Sequence, residues 1–272
     1  MYGRVRLFRH TGVERIGGKL DAAIIRRRDS TAEEPSSRAT QQDGRKPVPT
    51  TRPRTKSPSS RTNDPERTKA DIIEVATREF SENGYSGGRV DEIAERTKTS
   101  KRMIYYYFGS KDGLYRTVLL EYYRKLRGAE GDLDLEHKPP VEALRQLVHF
   151  TYDWHMTHAD DVRLVMVENI HRARHLQDMP DLGQINSSVI AAMGKILTRG
   201  VKDGVIRKGV DAMELYLSIA ALCFFNVSNR YTLEAIFGYD MTAARTMKTR
   251  RAAITDMVLR SVVADLSVLE KK

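Results

Sequence analysis

Between Ile72 and Leu266 the large apolar residues return at intervals of three and four, and no apolar/polar alternation of period two persists. That spacing gives a helix one apolar stripe and leaves a strand without a buried face. An all-α fold is expected. Ile72, Ile73, Ala76 and Phe80 form the first stripe, with Asp64 and Pro65 before it as a start signal. Asn83-Gly84 is expected to close that helix with a left-handed cap. Val90, Ile93 and Ala94 mark a short second helix, Thr97-Lys98-Thr99-Ser100 a turn, and Lys101 to Phe108 a third helix. Gly109-Ser110 breaks the third helix, and Ser110 caps a fourth from Lys111 to about Arg127. Gly128 to Pro140 is polar and reads as a loop. Further helices are expected at about 141–157, 161–176, 182–202, 211–230 and 242–268, punctuated by Lys202-Asp203-Gly204 and Gly209-Val210-Asp211.

Charge is graded along this pattern. The 272 residues carry 46 Lys and Arg against 36 Asp and Glu, a formal net charge of +10. Residues 1–66 hold 15 basic and 8 acidic side chains, residues 67–127 hold 13 and 9, and residues 128–272 hold 18 and 19. A basic N-terminal half suits a polyanionic partner, and a neutral C-terminal half suits a different one. From Asp29 to Glu66 the chain is rich in Ser, Thr, Pro and Arg with almost no large apolar residue. Such a segment cannot bury enough surface to offset its ordering entropy. Residues 1–66 are therefore expected to be a disordered basic tail, with at most a short helix at Leu20 to Ile25. A start codon set upstream of the natural one is the alternative. A single cysteine, Cys223, allows no intrachain disulfide, which fits a cytoplasmic location. No run of 18 apolar residues is present to span a membrane, and the N-terminus lacks the apolar segment of a secretory signal.

Residues 88–108 have the makings of a helix-turn-helix. Ile93, Ala94, Ile104, Tyr107 and Phe108 supply an apolar wedge between two short helices, leaving Lys101, Arg102, Tyr105 and Tyr106 on the outer face. A helix of that kind fits the major groove, with Lys and Arg donating to guanine and Tyr reaching phosphate, sugar or thymine methyl. Lys111 opens the fourth helix, whose N-terminus favours a phosphate. On periodicity alone, a three-helix bundle with a solvated basic face reads equally well.

The order of residues favours DNA binding. Phe80, Gly84-Tyr85, Val90 to Arg96 and Ser100 to Tyr115, above all Tyr106-Tyr107-Phe108-Gly109-Ser110-Lys111-Asp112-Gly113-Leu114, resemble the DNA-binding domain of TetR-family regulators. The resemblance covers about 67–127. It implies a three-helix DNA-binding domain whose DNA contacts are Arg89, Lys98, Thr99, Ser100, Lys101, Arg102, Tyr105, Tyr106 and Lys111. Two departures stand out. Gly88-Arg89 replaces the usual Thr-Thr, so a hydroxyl is lost and Arg89 is expected to reach a phosphate instead. Lys98 stands where the family has Gly; in a left-handed conformation it would cost roughly 1 kcal/mol relative to Gly.

The resemblance further implies that residues 128–272 form a ligand-binding and dimerisation domain, with a palindromic operator as the DNA partner and a homodimer through about 211–268. The stripe Leu215, Ile219, Leu222, Asn226, Asn229 and the face Ile254, Met257, Val258, Ser261, Val262, Leu266 suit helices buried by neighbours or by a second copy. Glu168 to Arg172 and Leu222 to Tyr231 resemble TetR regulators of nicotinate and related aromatic-acid catabolism. This implies a repressor released by a small aromatic or heteroaromatic carboxylate. Candidate ligand residues are Trp154, Asn169, His171, Arg172 and Asn226. Asn169 shares a face with Val162, Val165 and Met166 and is expected to point inward, either to a ligand or to a neighbouring helix. His171 and Arg172 suit a carboxylate or, more plainly, the surface. Asn226 and Asn229 suit a ligand or dimer register. Trp154 and Cys223 read as core.

An enzyme and a DNA-packaging protein are the rivals. There is no phosphate loop and no nucleophile motif, no cofactor is implied, and His171 with His175 lack a third metal ligand. A packaging protein would need neither a recognition helix nor a large neutral domain. Deleting residues 1–60 is expected to leave melting temperature and operator preference unchanged, removing only salt-sensitive affinity. Loss of discrimination between operator and scrambled DNA would refute the tail reading.

Overall fold

The computed structural model describes residues 64–177 and 179–270; the tail and its Leu20 to Ile25 patch lie outside them. Among the described residues there are ten α-helices, one 3-10 turn and no strand beyond a single bridge. The first four helices are α1 (Pro65–Gly87), α2 (Val90–Arg96), α3 (Lys101–Phe108) and α4 (Lys111–Gly131). Their starts follow from side-chain caps. Asp64 accepts from the backbone N–H of Glu66 and Arg67 at 3.1 and 3.2 Å, Ser100 from Met103 at 3.2 Å, and Ser110 from Gly113 at 3.0 Å. At the α3–α4 corner a Cβ on Gly113 would come within 2.0 Å of the Phe108 carbonyl oxygen, so only glycine lets the two helices meet this closely. The break expected at Asn83-Gly84 is present as a kink, Gly84 having φ +66°, after which one more turn runs to Gly87.

Two apolar cores organise the chain. The first joins Ile72, Ala76 and Phe80 of α1 to Val90, Ile93, Ile104, Leu114, Tyr115, Val118 and Leu119. Leu164 completes it from α6 (Ala159–Ile170). The second is built by α5 (Pro140–Thr157), α7 (Pro180–Lys202), α8 (Ala212–Ser228) and α10 (Ala244–Val262), with Leu144, Tyr152, Met193, Ile196, Ile219, Ile254 and Val258 at its centre. Arg199 closes the loop before α5 by donating to the carbonyls of Leu135 (2.8 Å) and Lys138 (3.1 Å).

Four boundaries differ from expectation, each for a tertiary reason. α4 continues past Arg127 because Arg127 and Glu130, one turn apart, are both buried and paired with each other. α6 stops at Ile170, not 176: Arg172 and Ala173 take φ +60° and +56° while the Glu168 carboxylate binds the His175 backbone N–H at 3.2 Å. The helix expected to 230 ends at Ser228, then bends 62° into α9 (Arg230–Phe237), an additional helix none of whose residues is buried among the described residues. α10 ends at Val262, because Val263 pairs with Ile206 and Ala264 donates to the Val205 carbonyl at 3.0 Å. No single helix among the described residues is long and apolar enough to cross a membrane.

Ile104 is fully buried and fastens α3 to the first core. Ile104→Ala is expected to destabilise the protein by about 2–5 kcal/mol in urea denaturation. A loss well below that would show that α3 is held by other contacts.

Candidate functional site

The outer face of α3 is open to solvent. Lys101, Arg102, Tyr105 and Tyr106 are all exposed, while Ile104 between them is buried and Tyr107 and Phe108 pack partly against the first core. Lys101 Nζ lies 2.7 Å from Asp91 Oδ1 on α2, and this pairing raises its pKa above the ordinary lysine value. Both partners are exposed, so the pair is weak and readily exchanged for a phosphate or a base edge. Arg102 has no hydrogen bond or ion pair among the described residues, and its guanidinium is open to solvent.

Around this helix the remaining candidates hold the frame as much as they face outward. Lys98 has φ +53°, the left-handed turn position anticipated from its place in the sequence, and is exposed. Thr99 is half-buried, and the Ser100 hydroxyl is engaged as the α3 cap. Arg89 precedes α2 and pairs with Glu92 at 3.1 Å. Its neighbour Gly88 has no room for a side chain, since a Cβ would come within 2.5 Å of the Phe80 ring. Lys111 Nζ donates to the Ser86 carbonyl at 3.3 Å and sits 5.0 Å from the Tyr85 ring centre. Buried Glu79 fixes the α1–α2 corner, accepting from the Arg89 backbone N–H and from Asn83, both at 3.1 Å.

A second feature lies at the other end of α4. A cavity of about 140 Å³ opens between α4, α5, α6 and α8. Its walls are Tyr122, Tyr123, Tyr216 and Phe224, and its polar groups are Arg127, Glu130, Thr151 and His155. Arg127 is buried; it donates to the Tyr216 hydroxyl at 3.0 Å and pairs with Glu130, while its Nε has no partner among the described residues. Burial pushes the Glu130 carboxyl upward, and Arg127 opposes that shift. His155 Nδ1 is 2.6 Å from the Thr151 carbonyl, so Nδ1 carries the proton. Burial drives the His155 pKa below the ordinary value, which leaves Nε2 an acceptor. A larger groove of about 310 Å³, beside α1 and the α5–α6 turn, is open and lined by charged residues such as Glu74, Arg78, Glu121 and Asp160. The smaller cavity is the more enclosed of these two and has aromatic walls with a few convergent polar groups, as small-molecule sites do.

Between these two features stands a polar joint. His175 Nδ1 is 2.8 Å from Glu168 Oε1, and its Nε2 is 3.7 Å from Asp112 Oδ1 in the first turn of α4. The ring packs between Tyr85 and Tyr115 at 4.4 and 4.8 Å. Burial and the Glu168 carboxylate push the Tyr115 hydroxyl upward.

The ligand residues expected from sequence do not line the aromatic cavity. Asn169 does not point inward: it is exposed and donates to the Val165 carbonyl of its own helix at 2.8 Å, because the inward face of α6 runs through Val162, Leu164 and Glu168. His171 and Arg172 are exposed in the turns after α6, and neither lines the cavity. Trp154 is half-buried and stacked on His158 at 3.9 Å, also outside the lining. Asn226 is buried and accepts from Arg250 Nε at 3.1 Å, clasping α8 to α10 within one chain. Cys223 is buried, its thiol pushed up to about 12 by burial. Sequence reasoning missed Arg127, Glu130, Tyr216, Glu168 and His175, whose charges read as surface; only their helical phase with Leu126, Tyr122 and Leu164 signals burial. Among the described residues no three His, Cys, Asp or Glu side chains cluster as a metal site.

Two short helices locked by an apolar wedge, with an open basic and aromatic second helix, form the reading head of a helix-turn-helix DNA-binding regulator. Residues 72–118 match the bacterial regulatory proteins of the tetR family, and residues 140–258 match the tetracyclin repressor-like C-terminal domain. The HTH-type transcriptional repressor NicS of Pseudomonas putida is 34% identical over 197 residues, covering 72% of this chain and 93% of the relative. The repressor SCO4008 of Streptomyces coelicolor is 30% identical over 162 residues, or 58% of this chain and 78% of the relative. A tetR-family regulatory protein from Rhodococcus RHA1 shares the fold, with a TM-score of 0.58 at 20% identity over 73% of this chain and 99% of the other. The chain belongs to the TetR family and is a transcriptional regulator, not an enzyme.

Lys101→Ala and Arg102→Ala are each expected to weaken binding to an operator selected from random duplexes by roughly 5- to 150-fold at fixed salt. Helical content should be unchanged. Wild-type affinity in both would assign base reading to another element.

Proposed function

We propose that this chain is a cytoplasmic repressor that binds a palindromic operator as a homodimer and leaves it when a small aromatic or heteroaromatic carboxylate enters the α4/α5/α6/α8 cavity. The observation that carries the effector reading is Arg127, a buried cation with an unpartnered Nε among aromatic walls, on the helix whose first half lies in the DNA-binding core. A cavity of about 140 Å³ is close to the size that accepts a single benzene ring. NicS and SCO4008, both named repressors, support the direction of regulation. On this reading residues 67–127 carry the DNA-binding helices, with the second half of α4 lending Arg127 to the cavity, and 128–272 supply the rest of the ligand site and the partner surface. Arg89, Lys98, Lys101, Arg102, Tyr105, Tyr106 and Lys111 touch DNA, with Thr99 and Ser100 contributing from the turn.

Exposed apolar residues support dimerisation through 211–268. Met213, Leu217 and Phe225 of α8 and Met257 of α10 are exposed, as are Ile236 and Phe237 of α9. A second copy would cover them by a two-fold interface. Two recognition helices must then sit about 34–36 Å apart to enter successive major grooves. An effector acts only if it binds the arrangement that misses this spacing more tightly than the one that meets it. α4 is the lever.

Benzoate and the pyridine monocarboxylates, with their amides as neutral controls, test the proposal. One of the acids is expected to raise the melting temperature and release operator DNA over the same concentration range. Arg127→Met should abolish both responses while still binding operator. If no acid in the panel does either, the ligand class is wrong.

A further inference from the structure

The cavity already contains an anion. Arg127 and Glu130 are each 8% exposed and stand one turn apart on α4, so the guanidinium is neutralised before any ligand arrives. Burial disfavours a charge on His155, whose Nδ1 already donates to the Thr151 carbonyl. A carboxylate entering beside Glu130 would place two anions on one guanidinium away from water, where both cannot stay ionised. Glu130 must then take a proton or leave, and its place on the last turn of α4 favours leaving.

Resting on the effector reading above, we infer that Arg127 is an anion-exchange site whose resident occupant, Glu130, is displaced by one external monocarboxylate. The two partners are held very differently. Arg127 is anchored across the cavity by its 3.0 Å hydrogen bond to Tyr216 Oη on α8, and its guanidinium lies over that ring. Glu130 belongs to the last turn of α4, next to Gly131, where the helix ends and exposed Asp132 follows. Gly128 and Gly131, which flank that turn, would meet nothing with an added Cβ, so it has room to move. The exchange leaves Arg127 in place and sends Glu130 into water as a carboxylate, with no proton transferred. It also fixes the ligand's charge: one guanidinium and one resident acid select a monocarboxylate and disfavour a dicarboxylate. The ligand's arrival thus loosens the end of α4 farthest from the DNA-reading helices.

The test is Glu130→Gln in the full chain, which empties the anion site while keeping its shape. Benzoate is expected to stabilise this variant at a concentration at least about tenfold below that needed for the wild type. Benzamide should not, and adding Arg127→Met should erase the gain. If Glu130→Gln folds poorly, recovery of its cooperative melt by added acetate is the same result in another form; Glu130→Asp, with its charge drawn back, should show an intermediate gain. Equal responses of wild type and Glu130→Gln to benzoate, or equal responses of the variant to benzoate and benzamide, would overturn the exchange. The two readings fail separately. Operator release by a carboxylate with no gain in Glu130→Gln refutes the exchange alone. A gain in Glu130→Gln without operator release in the wild type refutes the effector reading and leaves the anion site standing.

Discussion

α4 is buried along its length by two different sets of neighbours, and the arrangement of the other helices depends on that. Leu114, Tyr115, Val118 and Leu119 anchor its first half in the core that carries the recognition helix. Tyr122, Leu126, Arg127 and Glu130 place its second half against the cavity. A helix fixed at both ends transmits displacement only as a rigid body or by changing at a terminus. Its termini are where the polar joints lie. Asp112 meets His175 at one end, and Arg127 meets Glu130 at the other.

The Arg127–Glu130 joint is buried charge, and the His175 joint rests on the buried Glu168 carboxylate. Hydrophobic packing alone would tolerate sliding of one helix over another, because apolar contact has little directional preference. A buried carboxylate does not: removing one partner of such a pair typically costs about 3–5 kcal/mol. Glu79 at the α1–α2 corner and Glu168 at the end of α6 each hold a turn that would otherwise be free to reorient. Glu130 differs from both in accepting no backbone N–H and in lying on the final turn of its helix. It is the buried acid best placed to leave.

The DNA-reading unit was largely legible in the residues themselves, because its determinants are local. Ser100 and Ser110 cap the helices that follow them, Ile93 and Ile104 fall on the inward phase, and Lys98 is left-handed where the family resemblance places a glycine. The enclosed cavity beside α4 was not. Asn169 seemed inward because it shares a helical face with Val165 and Met166, yet those two are only half-buried and the core side of α6 lies at Leu164 and Glu168. A phase error of one position exchanges a buried glutamate for an exposed asparagine.

Sequence by itself determined the helical class, the start of each early helix and the basic outer face of α3, since periodicity, capping and exposure are set within a few residues along the chain. Tertiary structure alone decided that Arg127, Glu130, Glu168 and His175 lie inside. Charged side chains are buried only where a partner from a neighbouring turn or a distant segment meets them, and no local pattern encodes that meeting. The same holds for the 62° bend into α9, whose Leu233, Ile236 and Phe237 fall at helical spacing but are not buried among the described residues.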